Sequence, residues 1–339
     1  MRRLAAYVLT TCALIFALTQ REAATQVNTV KELAPGVYFH EGDITGKGHC
    51  NNGWVIFDDY VLVVDANFPS GAREIIPKIQ AQTDKPIRFA FDTHHHGDHA
   101  YANQVWADAG AVPVAHENVV EEMRKYETGL FGSKPGRWED AAKSREDVRS
   151  TRLKAPTLLY RDTLIFDDGK HRVELRYFGV GHTHGDGFAW LPKERILFTG
   201  DAAVNGPWNY LADGDSGAWI DTLAKAQALG AATVAPGHGP TGTGSVLEAQ
   251  RQYFIALRAE VEKRKGLPPD GVQTEVRAIR DALLPRHGTY IDAKAKSLAG
   301  FEAHVAAVYK EMTGRDFPKS AALDAARLAH DRHHGLAAQ

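Results

Sequence analysis

The chain has 339 residues, enough for one large domain with an extension or for two domains. Its formal net charge is −2, and 24% of its residues are charged, as in ordinary globular proteins. Because nucleic-acid-binding proteins usually carry a basic stripe, this balance argues against a nucleic-acid partner.

The N-terminus has the pattern of a secretory signal peptide over residues 1–24. Arg2 and Arg3 precede an apolar run from Leu4 to Leu18, and small and polar residues follow. An uncleaved membrane anchor is the alternative, but the run is short against the roughly 20 residues that a span needs. We therefore expect a periplasmic or secreted protein with no stable membrane span after signal removal. Cys50 would then be the single cysteine, without an internal disulfide.

The next part of the chain predicts alternating strands and helices. Residues 34–66 contain three strand-like runs, GVYFHEGD, GWVIFDD and YVLVVDA. The spacing of Ile75, Ile76 and Ile79 predicts a helix, and KPIRFAFDT then reads as a buried strand. A short helix and the strand AVPVAH follow. This alternation indicates an α/β layered domain.

The rest of the chain contains two segments of a different kind. Residues 117–160 are charged, with glycine and proline near the middle, and predict a helical insertion or lid. Strands resume in DTLIFDDG, HRVELRYFGVG, GFAWLP, RILFTGD and ATVAPGHG. Residues 246–339 predict helices alone, an α-helical C-terminal extension that packs on the sheets or forms a homodimer contact.

Four histidines and two aspartates crowd residues 92–99, directly after a predicted strand. In α/β proteins, sites lie at the carboxyl ends of strands. Residues two apart in an extended segment point to the same side, so His94 and His96 can converge on one ion while His95 points away. Gly97 permits a tight bend that turns Asp98 and His99 toward a second point. This spacing offers ligands for two metal ions.

Three more ligand-type residues stand at strand ends within glycine-rich turns. They are His182 in GVGHTHGD, Asp201 in LFTGDA and His238 in VAPGHG. Each one alone is more typical of a structural histidine or a turn aspartate. Together with the histidine cluster, in this order, they indicate a metal site.

The motifs H-x-H-x-D-H, G-H-T-x-G-D, T-G-D and P-G-H-G resemble those of the metallo-β-lactamase superfamily, across roughly residues 30–245. The resemblance implies a four-layer αβ/βα sandwich, with residues 25–245 as the catalytic domain. It also implies two zinc ions at one edge of the two sheets. Imidazole and carboxylate ligands suit Zn²⁺, and iron or manganese remains open from ligand type alone.

The resemblance also implies a role for each candidate ligand. One zinc would be held by His94, His96 and His182, the other by Asp98, His99 and His238, with Asp201 bridging the two. Asp65, in LVVDA, matches a position whose side chain orients the metal ligands without binding the metal itself.

Two zinc ions with a shared carboxylate can hold a bridging hydroxide near neutral pH, which would attack a carbonyl group. Asp98 would be the catalytic residue that orients this nucleophile and relays a proton. We therefore expect a hydrolase acting on a small-molecule lactam, lactone, ester or thioester. Substrate contacts are expected from Asn205, Trp208 and Tyr210, which follow Asp201. Phe131 and Trp138 are candidates for a flap.

Several alternatives stay open. True β-lactamases of the superfamily commonly have Cys, Ser or Met where this chain has Asp201, which weakens a β-lactamase interpretation. THHHGDHAYAN resembles the glyoxalase II motif, but glyoxalase II is normally intracellular, and the signal peptide argues against it. An iron-dependent redox enzyme on the same fold is a further alternative. Among the remaining histidines, we expect His184 to be a hydrogen-bonding neighbour of the site, and His330, His333 and His334 to be solvated. A place for His49 at the rim of the site is a minor alternative.

Overall fold

The computed structural model describes residues 27–132, 134–266, 271–292 and 298–318. The predicted signal peptide, residues 1–24, lies outside the described residues. So do His330, His333 and His334.

The first sheet has seven strands whose spatial order follows the chain. Strands β1 to β4 pair antiparallel, and β4 to β7 pair parallel. The strands are β1 (Val30–Ala34), β2 (Val37–His40), β3 (Asn52–Ile56), β4 (Val61–Val64), β5 (Ile87–Asp92), β6 (Val112–His116) and β7 (Leu158–Tyr160). All four residues of β4 are buried, as expected for a strand covered on both faces.

The second sheet has five strands in the order β12-β11-β10-β9-β8. Of its described strands, β11 and β12 pair parallel, and the other neighbours pair antiparallel. The strands are β8 (Thr163–Asp167), β9 (Arg172–Tyr177), β10 (Gly187–Leu191), β11 (Ile196–Gly200) and β12 (Thr233–Pro236).

Helices flank the sheets and fill the connection between β6 and β7. They are α1 (Pro69–Gln80), α2 (Gly97–Ala100), α3 (Asn103–Asp108), α4 (Glu117–Tyr126), α5 (Thr128–Phe131), α6 (Arg137–Ser144), α7 (Glu146–Arg149), α8 (Ser216–Gln227), α9 (Ser245–Glu262), α10 (Val272–His287) and α11 (Ala299–Thr313). Helices α4 to α7 lie in the segment that predicted a helical insertion. Among the described residues, no helix is both long and apolar enough to span a bilayer.

Three apolar clusters lie between adjacent layers and pack them together. One lies between the two sheets and includes Phe91 and Leu175. A second joins the outer face of the first sheet to α1 and α3, where Ile75 packs near Trp106. The third joins the second sheet to α8 and to the C-terminal helices. This arrangement confirms the predicted four-layer αβ/βα sandwich, and it places both helical layers on the outside.

The C-terminal helices α9, α10 and α11 share the third cluster with the second sheet. Phe254 of α9 packs on Trp219 of α8, with ring centroids 4.4 Å apart. The described part of the extension therefore packs against the sheets. The division into domains and the homodimer contact stay predictions.

Candidate metal centre

All the predicted ligands come from one edge of the sandwich. His94 to His99 follow β5, His182 lies between β9 and β10, Asp201 follows β11, and His238 follows β12. The backbone N–H of Gly187 donates to the carbonyl of Thr93 over 2.7 Å, which ties the two sheets together at this edge. Gly97 is required by close approach, because a Cβ there would lie 2.7 Å from Cε2 of Tyr101.

The first trio of ligand-type side chains is His94, His96 and His182. Their ligand atoms lie within 4.8 Å of one another, and all three side chains are buried. Nδ1 of His96 is 2.9 Å from Nε2 of His182. Nε2 of His94 is buried and has no hydrogen-bond partner among the described residues. Because an unsatisfied buried nitrogen costs free energy, this geometry fits a bound cation.

The second trio is Asp98, His99 and His238, whose ligand atoms also lie within 4.8 Å of one another. Oδ2 of Asp98 is 3.2 Å from Nε2 of His238 and 3.5 Å from Nε2 of His99. This trio mixes a carboxylate with two imidazoles, a donor set that suits a divalent transition metal.

Asp201 lies between the two trios. Its Oδ1 is 3.3 Å from Nε2 of His99, and its Oδ2 is 3.2 Å from Nε2 of His238. The same Oδ2 is 3.7 Å from Nε2 of His182, in the first trio. One carboxylate therefore faces the ligand nitrogens of both groups, the position that a bridging ligand needs.

The titration of these groups in the metal-free chain also fits a cation site. Burial, together with the neighbouring imidazoles, holds the pKa of His94 well below its usual value and lowers that of His182 to about 3. Both rings are therefore neutral at pH 7, the form that binds metals. Burial would also lower the pKa of His238, but Asp201 and Asp98 raise it to about 9. The carboxylates thus attract positive charge to the second trio.

Asp65 supports the second trio from behind, as the resemblance implied. Its Oδ2 is 3.1 Å from Nδ1 of His99. Its Oδ1 accepts from the backbone N–H of Thr93 over 3.0 Å and from the Thr93 hydroxyl over 2.6 Å. Asp65 has a φ of 65°, an uncommon conformation for a residue with a side chain.

Sequence reasoning missed Asp213, which contacts the first trio. Its Oδ2 is 2.9 Å from Nε2 of His96. Arg137, in the segment between β6 and β7, also donates to this carboxylate. Burial would raise the pKa of Asp213, but His96 and Arg137 hold it well below its usual range. The surrounding run, DGDSG, reads as an ordinary turn, so its sequence carries no signal of this role.

Asn51 is a second residue that the sequence did not reveal. Its Nδ2 donates to the carbonyls of Pro236 and Gly239, each over 2.8 Å. These two carbonyls flank His238, so Asn51 holds the turn that presents this ligand-type side chain.

Of the expected substrate contacts, Tyr210 lies beside the first trio. Its carbonyl is 3.0 Å from Nδ1 of His182, and its ring centroid is 5.6 Å from that of His96. Asn205 donates from Nδ2 to the carbonyl of Pro240 over 2.9 Å, which braces the turn after β12. The ring of Trp208 packs over Gly206 and Gly239. Contact of these three residues with a substrate stays a prediction.

The structure also places the neighbours of the site. His95 belongs to neither trio, as expected, and its side chain is buried. Its ring stacks on Tyr126, with centroids 5.2 Å apart. His49 contacts Ser70 instead of the trios, with Nε2 2.8 Å from Oγ. His184 is exposed.

Cys50 is fully buried, and its Sγ lies within 4.8 Å of ligand atoms of Asp65 and His99. Burial raises the pKa of its thiol, which keeps the group protonated at neutral pH. Cys50 is therefore both a small buried residue and a close neighbour of the second trio.

The prediction that Trp138 belongs to an exposed flap is wrong. Only 8% of this residue is exposed, and its ring packs on Tyr101, with centroids 4.9 Å apart. Phe131 is exposed, as a flap would require, and lies under the guanidinium of Arg124. The difference arises because the amphipathic helix α6 turns Trp138 inward against the residues that follow α2.

Comparison with known proteins identifies the family. Residues 45–238, more than half of the chain, match the sequence model of the metallo-β-lactamase superfamily. A metallo-β-lactamase from Pontibacter korlensis has a similar fold, with a TM-score of 0.55 and 19% identity over 67% of this chain and 98% of the other. The protein VMB-1 gives a TM-score of 0.54 and 21% identity over 69% of this chain and 99% of its own. The DIM-1 metallo-β-lactamase gives a TM-score of 0.53 and 19% identity over 68% of this chain and 99% of its own. The chain therefore belongs to the metallo-β-lactamase superfamily, whose members are metal-dependent hydrolases.

Proposed function

We propose that the protein is an exported, zinc-dependent hydrolase that cleaves a small-molecule lactam, lactone, ester or thioester at its carbonyl group. One observation carries the proposal: seven buried ligand-type side chains meet at one edge, and Asp201 faces both trios at 3.2 to 3.7 Å. His94, His96 and His182 would hold one ion, and Asp98, His99 and His238 the other. Asp201 would be shared between the two.

Zinc is favoured because neutral imidazoles and carboxylates are its common ligands, although the same donors also bind iron or manganese. Two Zn²⁺ ions held there would supply Lewis acidity toward a carbonyl oxygen and would lower the pKa of a bound water to about 7.

The side chains of the protein would orient the reactants and move protons. The carboxylate of Asp98 is fully buried beside His238 and His99, so it can orient the attacking group and accept its proton. Tyr210 is the candidate substrate contact beside the first trio, because its ring lies near His96 and its carbonyl is 3.0 Å from Nδ1 of His182.

Hydrolysis of β-lactam antibiotics is the second candidate function. It is supported by the names of structural relatives, two of which are described as metallo-β-lactamases. Asp201 argues against it, since true β-lactamases of this superfamily commonly have another residue there. A glyoxalase II-like thioesterase and an iron-dependent redox enzyme are tested as outcomes of the same experiment.

The decisive experiment is a substrate screen of the metal-loaded protein. Nitrocefin, a carbapenem, an acyl-homoserine lactone, an aryl ester and S-lactoylglutathione are offered to protein that has been stripped and reloaded with zinc, iron or manganese. We expect chelation to abolish hydrolysis and zinc to restore it. Full activity in verified metal-free protein would refute the proposal. Purified protein that contains iron by mass spectrometry and hydrolyses none of these substrates would favour the redox alternative.

Export is part of the proposal and rests on the sequence pattern of residues 1–24. Mass spectrometry of the protein from a periplasmic extract tests it. We expect a mature chain that lacks the first residues, and an intact N-terminus in the cytoplasmic fraction would contradict export.

A further inference from the structure

Asp213 connects the metal centre to the segment between β6 and β7. Its side chain is only 3% exposed. Nε2 of His96 lies 2.9 Å from Oδ2 of this carboxylate. Arg137 donates from Nη1 to the same oxygen over 2.6 Å and from Nη2 to Oδ1 over 3.1 Å. The guanidinium therefore engages both oxygens of Asp213, the planar two-point geometry that arginine forms with carboxylates.

This contact determines which nitrogen of His96 carries the proton. An ionised carboxylate can only accept hydrogen bonds, so Nε2 of His96 must donate to Asp213. The lone pair then lies on Nδ1, the atom that points toward Nε2 of His182 at 2.9 Å. Asp213 thus holds His96 in the tautomer and orientation that a metal ligand in the first trio requires.

Arg137 is itself held in place by its neighbours. Its guanidinium carbon lies 3.5 Å from the ring centroid of Tyr126, a cation–π contact. The next residue, Trp138, donates its backbone N–H to Glu127 over 2.8 Å and packs on Tyr101. The N-terminal end of α6 is therefore held on one side by Tyr101, through Trp138, and on the other side by Asp213, through Arg137.

We propose that Arg137 is a positioning residue of the metal centre: by clamping Asp213 it fixes the ring of His96, so the segment from α4 to α7 is a structural part of the site. This inference rests on the proposed function, since it requires a metal ion at the first trio. Asp213 engages both ends of the guanidinium, which favours this role for Arg137 over recognition of an anionic substrate group.

The test compares five variants with the wild type by chelator competition and by the visible spectrum of the cobalt-substituted protein. Arg137→Met removes the clamp, and Arg137→Lys keeps the charge but loses the two-point geometry. Arg149→Met is the control, because Arg149 lies in the same segment, is exposed, and its side chain donates to Glu146 and to the carbonyl of Ala142.

We expect Arg137→Met to weaken the binding of one of the two ions by roughly 10- to 100-fold and to change the cobalt spectrum. Arg137→Lys should have a smaller effect in the same direction, and Arg149→Met none. The double variant Arg137→Met/Asp213→Asn should bind no more weakly than Asp213→Asn alone, because both changes act through His96. Circular dichroism confirms that each variant is folded.

Two results would overturn the inference. One is unchanged metal affinity and an unchanged cobalt spectrum in Arg137→Met. The other is unchanged metal affinity with a raised KM, which would make Arg137 a substrate contact. A wild-type protein that binds no divalent metal would refute the proposed function itself, and that outcome is read before the variants are compared.

Discussion

Asp65 and His99 form a direct side-chain contact, with Oδ2 of the carboxylate 3.1 Å from Nδ1 of the ring. The contact turns Nε2 of His99 toward Asp98 and Asp201, at 3.5 and 3.3 Å. Asp65 adopts a φ of 65° to make this contact while also holding Thr93. A strained backbone position thus orients the second trio.

Replacing Asp65 with asparagine should weaken metal binding. Asparagine tolerates positive φ, so the backbone is retained. Its amide can still accept from Thr93, but its NH₂ would then meet Nδ1–H of His99 as a second donor. We expect a loss of roughly 10- to 100-fold in the affinity for one ion, measured by chelator competition. Asp59→Asn, at an exposed turn, is the control, and equal affinities in the two variants would contradict the prediction.

Removing a proposed ligand should nearly abolish hydrolysis. We expect His96→Ala and Asp98→Ala each to lower kcat/KM by about 1,000-fold, equivalent to roughly 4 kcal/mol of barrier. Kinetics with the best substrate from the screen provide the measurement. His184→Ala, which replaces an exposed histidine two positions after His182, should retain wild-type activity. If His96→Ala or Asp98→Ala stays within about tenfold of the wild type, or roughly 1.4 kcal/mol, the site assignment is wrong.

Trp138 and Phe131 should respond differently to truncation. Trp138 is buried against Tyr101, so Trp138→Ala should lower the free energy of unfolding by about 3 kcal/mol or more. Phe131 is 38% exposed, so Phe131→Ala should cost under about 1 kcal/mol. Urea unfolding of the two variants measures both changes. Equal costs would show that α6 does not pack as described.

His304 should contribute to the loss of stability in acid. It lies between the Tyr253 hydroxyl and the carbonyl of Asn209, each at 2.8 Å. Burial lowers its pKa to about 4, although the hydrogen bond to Asn209 opposes this shift. The unfolded chain, with a pKa near 6.5, therefore binds more protons below that pH, and the native state loses about 2 kcal/mol between pH 7 and pH 5.

Urea unfolding of His304→Gln at several pH values tests this linkage. The variant cannot titrate, so its stability deficit relative to the wild type should shrink as the pH falls from 7 to 5. The same substitution at His184, which is exposed, is the control. A deficit for His304→Gln that stays constant over this range would contradict the assignment.

Cys50 should be unreactive in the native protein. Its side chain is fully buried, and burial raises the pKa of the thiol, so the nucleophilic thiolate is scarce. In a chain carrying Cys12→Ser, we expect Ellman's reagent to label Cys50 only after unfolding in guanidinium. Rapid labelling of the folded protein would show that the thiol reaches solvent.

At the candidate metal centre, the proposed ligands were recognisable because they follow strands, most of them next to a glycine, in motifs of fixed spacing. The strand and helix periodicities likewise predicted the layered α/β fold, since each element carries its own apolar pattern. Trp138 was misjudged because a tryptophan in a charged, glycine-containing segment has no local pattern that shows which way it faces.

By itself, the sequence indicated the candidate ligands, their order and the family, because these reside in short stretches whose spacing is read directly. Only the tertiary structure decided which side chains hold the ligands. His96 and Asp213 are 117 positions apart, Arg137 and Asp213 are 76 apart, and His304 and Asn209 are 95 apart. Such contacts join residues that look like ordinary turn or helix residues, and they exist only because packing of the sheets and helices brings distant segments to the same edge.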